Sequence, residues 1–133
     1  MACLIGIPKE VTPRETRVAI TPEIAKKLIA KKYSIVVESG AGERSGYPDS
    51  EFTAAGVEIT RDPARVWGAD LVWKIQRPTI EEALKIKPGS ALACLLDPFK
   101  NDGLFEKLAE RRVSALCMEL IPQIGRASCR ERV

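Results

Sequence analysis

Short apolar segments alternate with amphipathic segments along almost the whole chain. The apolar segments predict strands at residues 3–7, 34–38, 57–60, 70–75, 90–96 and 113–120. The intervening segments predict helices at residues 21–31, 48–55, 62–67, 79–84 and 102–111. This alternation favours right-handed crossovers and a mainly parallel sheet. The continuous apolar run at residues 91–96 is typical of a strand buried on both faces, so the predicted fold is an α/β three-layer sandwich.

Composition and length agree with one globular domain. The chain has 133 residues, of which 45% are hydrophobic and 29% are charged. No apolar run approaches the ~20 residues that a membrane-spanning helix needs. The N-terminus also lacks the basic region, long apolar stretch and cleavage site of a signal peptide, so the expected location is the cytoplasm.

The last segment, residues 124–133, has neither helical nor strand periodicity. It is identified as the in-frame translation of a sequencing adapter, which would also supply two bases of the Gln123 codon. We therefore interpret residues 1–122 as the domain and residues 123–133 as non-native. The alternative is a genuine basic tail. Residues 124–133 carry three arginines and one glutamate, so without them the formal net charge falls from +3 to +1 and does not indicate nucleic-acid binding.

Two further patterns have a structural interpretation. The four cysteines, Cys3, Cys94, Cys117 and Cys129, have no metal-ligand or CxxC spacing, so no metal site is predicted. The cysteines within apolar runs are interpreted as small buried side chains.

The run Gly40-Ala41-Gly42 follows a predicted strand, but it departs from GxGxxG because residue 45 is Ser. A turn is therefore favoured there over a phosphate-binding loop.

The opening run carries the most specific pattern. An apolar strand at residues 5–7 ends at Pro8, and a charged loop then leads to Arg17 and a second apolar stretch at residues 18–20. Thr21 and Pro22 next suit the start of a helix. This arrangement resembles the N-terminal domain shared by alanine dehydrogenases and NAD(P) transhydrogenase alpha subunits. The resemblance implies a Rossmann-like fold and hydride transfer with NAD(H), with the dinucleotide fingerprint in a second subdomain further along such proteins.

Two cations are candidate site residues. Lys74 ends a predicted strand, and ligands of open parallel sheets bind beyond the carboxyl ends of the strands. The spacing leaves two interpretations of Lys74 open, a lysine in the crevice and a solvated surface lysine. In the resembled alanine dehydrogenases, the positions that match Arg17 and Lys74 bind the substrate carboxylate and carbonyl. An arginine suits a carboxylate, and a lysine ammonium can polarise a carbonyl.

The chain departs from the alanine dehydrogenase pattern at one decisive position. Those enzymes carry a catalytic histidine where this chain has Asp97, and the chain contains no histidine. Histidine is the usual acid–base group near neutral pH, so amino-acid dehydrogenation is disfavoured. Asp97 is interpreted as a turn or cap residue before Pro98.

Residues 115–122, at the end of the domain, resemble the transhydrogenase alpha subunit more closely, and so do residues 73–78. The family has an arginine at Gln123, in a loop that contacts the nicotinamide. The resemblance implies a homodimeric NAD(H)-binding component that docks on an NADP(H)-binding component. It further implies a membrane component that translocates protons, and a location that is cytoplasmic and peripheral to the inner membrane. Because the fingerprint is missing, we expect this stretch of chain to be a fragment that is inactive alone. Two alternatives are an alanine dehydrogenase-like enzyme and a non-catalytic α/β binding module.

Overall fold

The structure is a computed structural model, which describes residues 3–97, 100 and 103–118. Its strands are β1 (Leu4–Ile7), β2 (Ser34–Glu38), β3 (Glu58–Thr60), β4 (Leu71–Trp73), β5 (Ala91–Cys94) and β6 (Ser114–Cys117). Its α-helices are α1 (Pro22–Ala30), α2 (Asp49–Ala54), α3 (Pro63–Trp67), α4 (Ile80–Lys85) and α5 (Leu104–Glu110), and a 3-10 turn lies at Glu43–Ser45. Each predicted element is present; β2 has the predicted bounds, α4 has the predicted length but is shifted by one residue, and the others are shorter than the apolar patterns indicated.

The strands form one six-stranded sheet in the order β3-β2-β1-β4-β5-β6. Every strand pair in it is parallel. The order reverses direction between β1 and β4, as in a doubly wound Rossmann-like sheet, so the predicted α/β fold class is confirmed. This reversal places the loops after β1 and β4 side by side at the carboxyl edge, where such sheets bind ligands.

Local capping explains where three helices begin. The Thr21 hydroxyl accepts a hydrogen bond from the backbone N–H of Ile24, with Pro22 at the first position of α1. Thr79 and Glu82 form a reciprocal capping box at the start of α4. The Asp62 carboxylate accepts from the N–H of Ala64 at the start of α3. Each cap satisfies backbone N–H groups that a helix start would otherwise leave without partners.

Two apolar clusters form the core on opposite faces of the sheet. On one face, Ala25 of α1 and Phe52 of α2 pack against β1 and β2. On the other face, α3, α4 and α5 pack against β4 and β5. Gly6 of β1 permits this second packing, since a Cβ there would lie 2.2 Å from the backbone oxygen of Val66 in α3.

The three-layer arrangement is complete over only half of the sheet. Among the described residues, no helix covers the α1 side of β4, β5 and β6, although α4 and α5 cover the other side. An apolar groove of about 360 Å³ lies there, which we call the open face. It is lined by Leu71, Trp73, Ala91, Leu92, Ala93, Ser114, Ala115, Leu116 and Met118. The strand β5 is largely buried on this side as well, as its apolar run predicted, since Ala93 is only 5% exposed. The exposure is on β6, where Leu116 is 54% exposed and Ser114 is also exposed.

Side chains on the helix-covered side of β5 and β6 should contribute more to stability than side chains on the open face. Leu92 is fully buried, whereas Leu116 on the neighbouring strand is 54% exposed. Leu92→Ala should lower the free energy of unfolding by about 2–5 kcal/mol because it leaves a cavity. Leu116→Ala removes the same atoms from an exposed position and should cost about 0.5 kcal/mol or less. Urea unfolding followed by circular dichroism measures both, and equal losses would contradict an exposed face.

Candidate functional site

The candidate site lies at the carboxyl edge of the sheet, where three loops meet. The loop after β1 carries Glu10, Glu15 and Arg17, and Lys74 directly follows β4. The segment that ends in Asp97 follows β5. Because all strands are parallel, these segments leave the sheet at the same edge.

A buried ion pair joins the first two loops. The Lys74 Nζ lies 2.7 Å from the Glu10 Oε1, and the two side chains are 0% and 3% exposed. The Glu10 carboxylate also accepts hydrogen bonds from the backbone N–H groups of Ile75 at 2.9 Å and Gln76 at 3.1 Å. Lys74 therefore lies in the crevice, and the surface-lysine interpretation is wrong. Three donors converge on one carboxylate, which offsets the cost of burying its charge.

Glu15 forms a second charged cluster beside the first. It accepts from the Arg17 Nε at 2.9 Å, from an Arg17 terminal nitrogen at 2.8 Å and from the Arg17 backbone N–H at 2.8 Å. The Gln76 side-chain amide donates to the same carboxylate at 2.6 Å. These hydrogen bonds, first from Arg17 and then from Gln76, lower the pKa of Glu15 from 4.5 to about 2. The carboxylate in turn raises the pKa of Arg17, whose side chain is 61% exposed.

The structure brings the two sequence-predicted site residues together. Arg17 and Lys74 line one cavity of about 170 Å³, together with Trp73, Ile75, Leu95 and Met118. Each cation already contacts a carboxylate of the loop after β1: Arg17 contacts Glu15, and Lys74 contacts Glu10. Of the two, the Arg17 guanidinium extends into solvent, so it has donors directed away from Glu15 for an anionic or carbonyl group. The roles in substrate binding that the resemblance implies stay predictions.

Asp97 occupies a turn at the end of the segment after β5. Its φ is 46°, in the left-handed region, and its backbone carbonyl accepts from the N–H of Lys100 at 3.0 Å. The Arg77 guanidinium donates to the backbone carbonyls of Asp97, at 3.2 Å, and Leu96. The same guanidinium lies 5.5 Å from the centre of the Phe105 ring. Arg77 therefore anchors this turn from the β4 side, which agrees with the structural interpretation of Asp97.

The glycine loop after β2 is filled by a carboxylate of the chain itself. Asp49 accepts from the backbone N–H of Gly40 at 2.9 Å and from the Ser39 hydroxyl at 2.7 Å. A Cβ on Gly42 would lie 2.7 Å from the Phe52 ring, so the tight turn needs glycine for packing. The backbone donor that a pyrophosphate would use is thus occupied. Residues 40–42 form a turn closed by Asp49, which is the structure that the sequence interpretation favoured.

Metal-binding and membrane-spanning features are not found within the described part of the chain. It contains no group of three or more Cys, Asp or Glu side chains placed to hold a metal ion. None of its helices has the length and apolar character to span a membrane. Gln123, the position of a family arginine, lies outside the described residues.

Sequence reasoning missed four residues that organise the site, namely Glu10, Glu15, Gln76 and Arg77. A usable signal was present, since two glutamates separated by five positions stand in a loop between apolar segments. Their partners after β4 lie more than 60 positions away along the chain, so only the tertiary fold reveals the contacts.

A family model described as alanine dehydrogenase/PNT, N-terminal domain, matches residues 6–130. The chain belongs to this family. The family match covers the site described above, including both candidate cations. It also extends past residue 122, into the segment that the sequence interpretation assigned to an adapter, and that interpretation stays a prediction.

Relatives of this domain include both enzyme types. The chain is 43% identical to an NAD(P) transhydrogenase alpha subunit of Rhodospirillum rubrum, covering 92% of this chain and 34% of that protein. It is 35% identical to the alanine dehydrogenase of Bacillus subtilis, covering 90% of this chain and 32% of that protein. The chain therefore spans about a third of the length of these relatives.

Solved structures of both enzyme types resemble this domain. A transhydrogenase structure from Sinorhizobium meliloti matches with a TM-score of 0.86 at 34% identity, over 94% of this chain and 37% of that one. An L-alanine dehydrogenase structure matches with a TM-score of 0.84 at 25% identity, over 87% of this chain and 32% of that one. The fold of the domain is thus common to both enzyme types.

The buried ion pair should be costly to break from one side. Glu10→Gln leaves the Lys74 charge buried without its anion, so we expect the free energy of unfolding to fall by about 3–5 kcal/mol. The double variant Glu10→Gln with Lys74→Met should lose less than the sum of the two single variants. Glu58→Gln, which breaks the exposed pair with Arg65, is the matched control and should change stability far less. Additive single effects in urea unfolding would contradict a coupled buried pair.

Glu15 should make the domain sensitive to acid. Its pKa is about 2 in the folded domain against an ordinary value of 4.5, so its stabilisation is present above pH 4.5. That stabilisation is lost progressively as the pH falls from 4.5 towards 2. Glu15→Gln should therefore be less stable at pH 7 but lose less stability over this interval. As a control, Glu23→Gln removes an equal charge from an exposed site and should keep the wild-type dependence of stability on pH. Parallel profiles of stability against pH for wild type and Glu15→Gln would contradict the lowered pKa of Glu15.

Proposed function

We propose that this domain is the N-terminal part of the NAD(H)-binding component of a proton-translocating NAD(P) transhydrogenase. The observation that carries the proposal is the end of the segment after β5, where Asp97 stands in a turn and the chain supplies no histidine. The 43% identity to the transhydrogenase subunit of Rhodospirillum rubrum supports the same choice.

The chemistry of transhydrogenation suits a site without an acid–base group. Hydride passes directly between the nicotinamides of NAD(H) and NADP(H), so no proton has to be moved on a substrate at that step. Amino-acid dehydrogenation does require such a proton transfer. The cavity beside Arg17 and Lys74 then needs only to bind and orient, and both cations stay its proposed site residues. The Arg17 guanidinium can donate to a polar group of a ligand, while Lys74 fixes the loop through Glu10.

The dinucleotide itself is proposed to bind mainly outside this domain. In the glycine loop after β2, Asp49 accepts from the Gly40 N–H, which supports a main dinucleotide site elsewhere and a role for this domain as one wall of the cofactor cleft. The chain covers 34% of the length of the transhydrogenase relative. NAD(H) binding, homodimer formation and docking on the NADP(H)-binding component are therefore proposed for the longer protein. Its proposed location is the cytoplasmic side of the inner membrane, held there by the membrane component, and this domain alone is expected to be inactive.

An alanine dehydrogenase-like activity is the second candidate. The paired placement of Arg17 and Lys74 in one cavity favours it, together with the 35% identity to the Bacillus subtilis enzyme. It requires an acid–base group that Asp97 would have to provide. A non-catalytic binding module is a third interpretation, which the isolated chain would satisfy only if it folded stably with its open face exposed.

Two chimeras distinguish the enzyme candidates. In one, residues 1–118 replace the matching segment of the Rhodospirillum rubrum subunit, and in the other they replace that of the Bacillus subtilis alanine dehydrogenase. We expect the first to transfer hydride from NADPH to an NAD analogue when mixed with the NADP(H)-binding component. The second should deaminate alanine at least about 100-fold more slowly than the parent enzyme, since general acid–base catalysis contributes about 10²–10⁴-fold.

Matched controls make these results decisive. Asp97→His in the alanine dehydrogenase chimera should restore part of the deamination rate, which shows that the chimera is folded. The isolated 133-residue chain should bind NADH no more tightly than millimolar. A micromolar dissociation constant for the isolated chain, or rapid deamination by the chimera without the histidine, would overturn the proposal.

A further inference from the structure

Cys94 and Cys117 are neighbours on adjacent strands. They end β5 and β6, and the parallel register pairs them directly, Cα against Cα. Both side chains belong to the apolar cluster beneath α4 and α5, so they leave the sheet on the same face. Their separation along the sequence is 23 positions, so the juxtaposition comes from the fold and not from a CxxC motif.

The spacing of the strands suits a covalent link. Neighbouring strands lie about 4.8 Å apart. Disulfides usually join residues whose Cα atoms are about 4.4–6.8 Å apart, with Cβ atoms about 3.5–4.5 Å apart. Paired residues of parallel strands meet the first condition and need only a small approach to meet the second. Within the described part of the chain, β6 has β5 as its one neighbour in the sheet, which allows that approach.

The two thiols differ in access. Cys94 is fully buried, whereas Cys117 is partly exposed. An oxidant in solution would therefore reach Cys117 first, and Cys94 would be the thiol that resolves the adduct. This division of roles is typical of oxidisable cysteine pairs.

We propose that Cys94 and Cys117 form a dithiol site that a low-molecular-weight disulfide such as oxidised glutathione converts into a disulfide between β5 and β6. The Cys117 thiolate attacks oxidised glutathione, forms a mixed disulfide and releases one glutathione thiolate. The Cys94 thiolate then attacks the Cys117 sulfur and releases the second. The domain loses two protons and two electrons, and oxidised glutathione is reduced to two glutathione molecules. The bond ties β6 to β5 beside the candidate site, and this inference does not depend on the proposed function.

The test uses the full 133-residue chain with an excess of oxidised glutathione. We expect an intact mass lower by two hydrogen atoms, a tryptic link between the peptides of Cys94 and Cys117, and full reversal by dithiothreitol. Backbone amide exchange in β6 should slow in the oxidised form. Cys3→Ser should leave the link unchanged, and Cys94→Ala should stop at the mixed disulfide on Cys117.

Three results would overturn the proposal. The first is a glutathione adduct on Cys117 that persists in the wild-type chain without a link. The second is a link that joins Cys3 or Cys129 in place of Cys94. The third is an equal loss of two hydrogen atoms in the Cys94→Ala variant. If Cys94→Ala does not fold, Cys117→Ser at the more exposed position takes its place, and it should abolish the link.

Discussion

The carboxylate of Glu10 connects the two halves of this sheet. It binds the Lys74 ammonium and two backbone N–H groups just beyond β4, while its own loop leaves from β1. These are the strands at which the sheet order reverses. A doubly wound sheet opens a crevice at that point, and here the buried Glu10 carboxylate lies at the bottom of the crevice. This contact holds the residues after β4, and Glu15 of the same loop holds Arg17 beside them.

The charge arrangement follows from that closure. Two glutamates of one loop each bind a cation, and Gln76 donates to both through its backbone and its side chain. Lys74 is buried by its pairing, whereas the Arg17 guanidinium extends to solvent. The floor of the site is thus a fixed set of two carboxylates and two cations whose charges cancel, with the Arg17 cation directed outward. Such an arrangement can orient a ligand without supplying a group for acid–base catalysis.

The open face is an apolar surface of the sheet that the described helices leave uncovered. Helices cover both sides of the sheet over β1 and β2, but only one side over β4, β5 and β6 among the described residues. The chain also spans about a third of its relatives. A sheet with an apolar uncovered half is a surface of the kind that further chain or a partner covers.

Sequence periodicity determined the elements and the fold class of this protein. Each strand and helix follows from a local apolar pattern, and caps such as Thr21 and Thr79 mark helix starts. The residues also singled out Arg17 and Lys74, and the missing histidine disfavoured one chemistry. Strand order, the pairing of Glu10 with Lys74 and the register of Cys94 with Cys117 came only from the tertiary structure. The physical reason is that helix and strand patterns depend on near neighbours, whereas these contacts join residues 23 to 64 positions apart that only the packing of the sheet brings together.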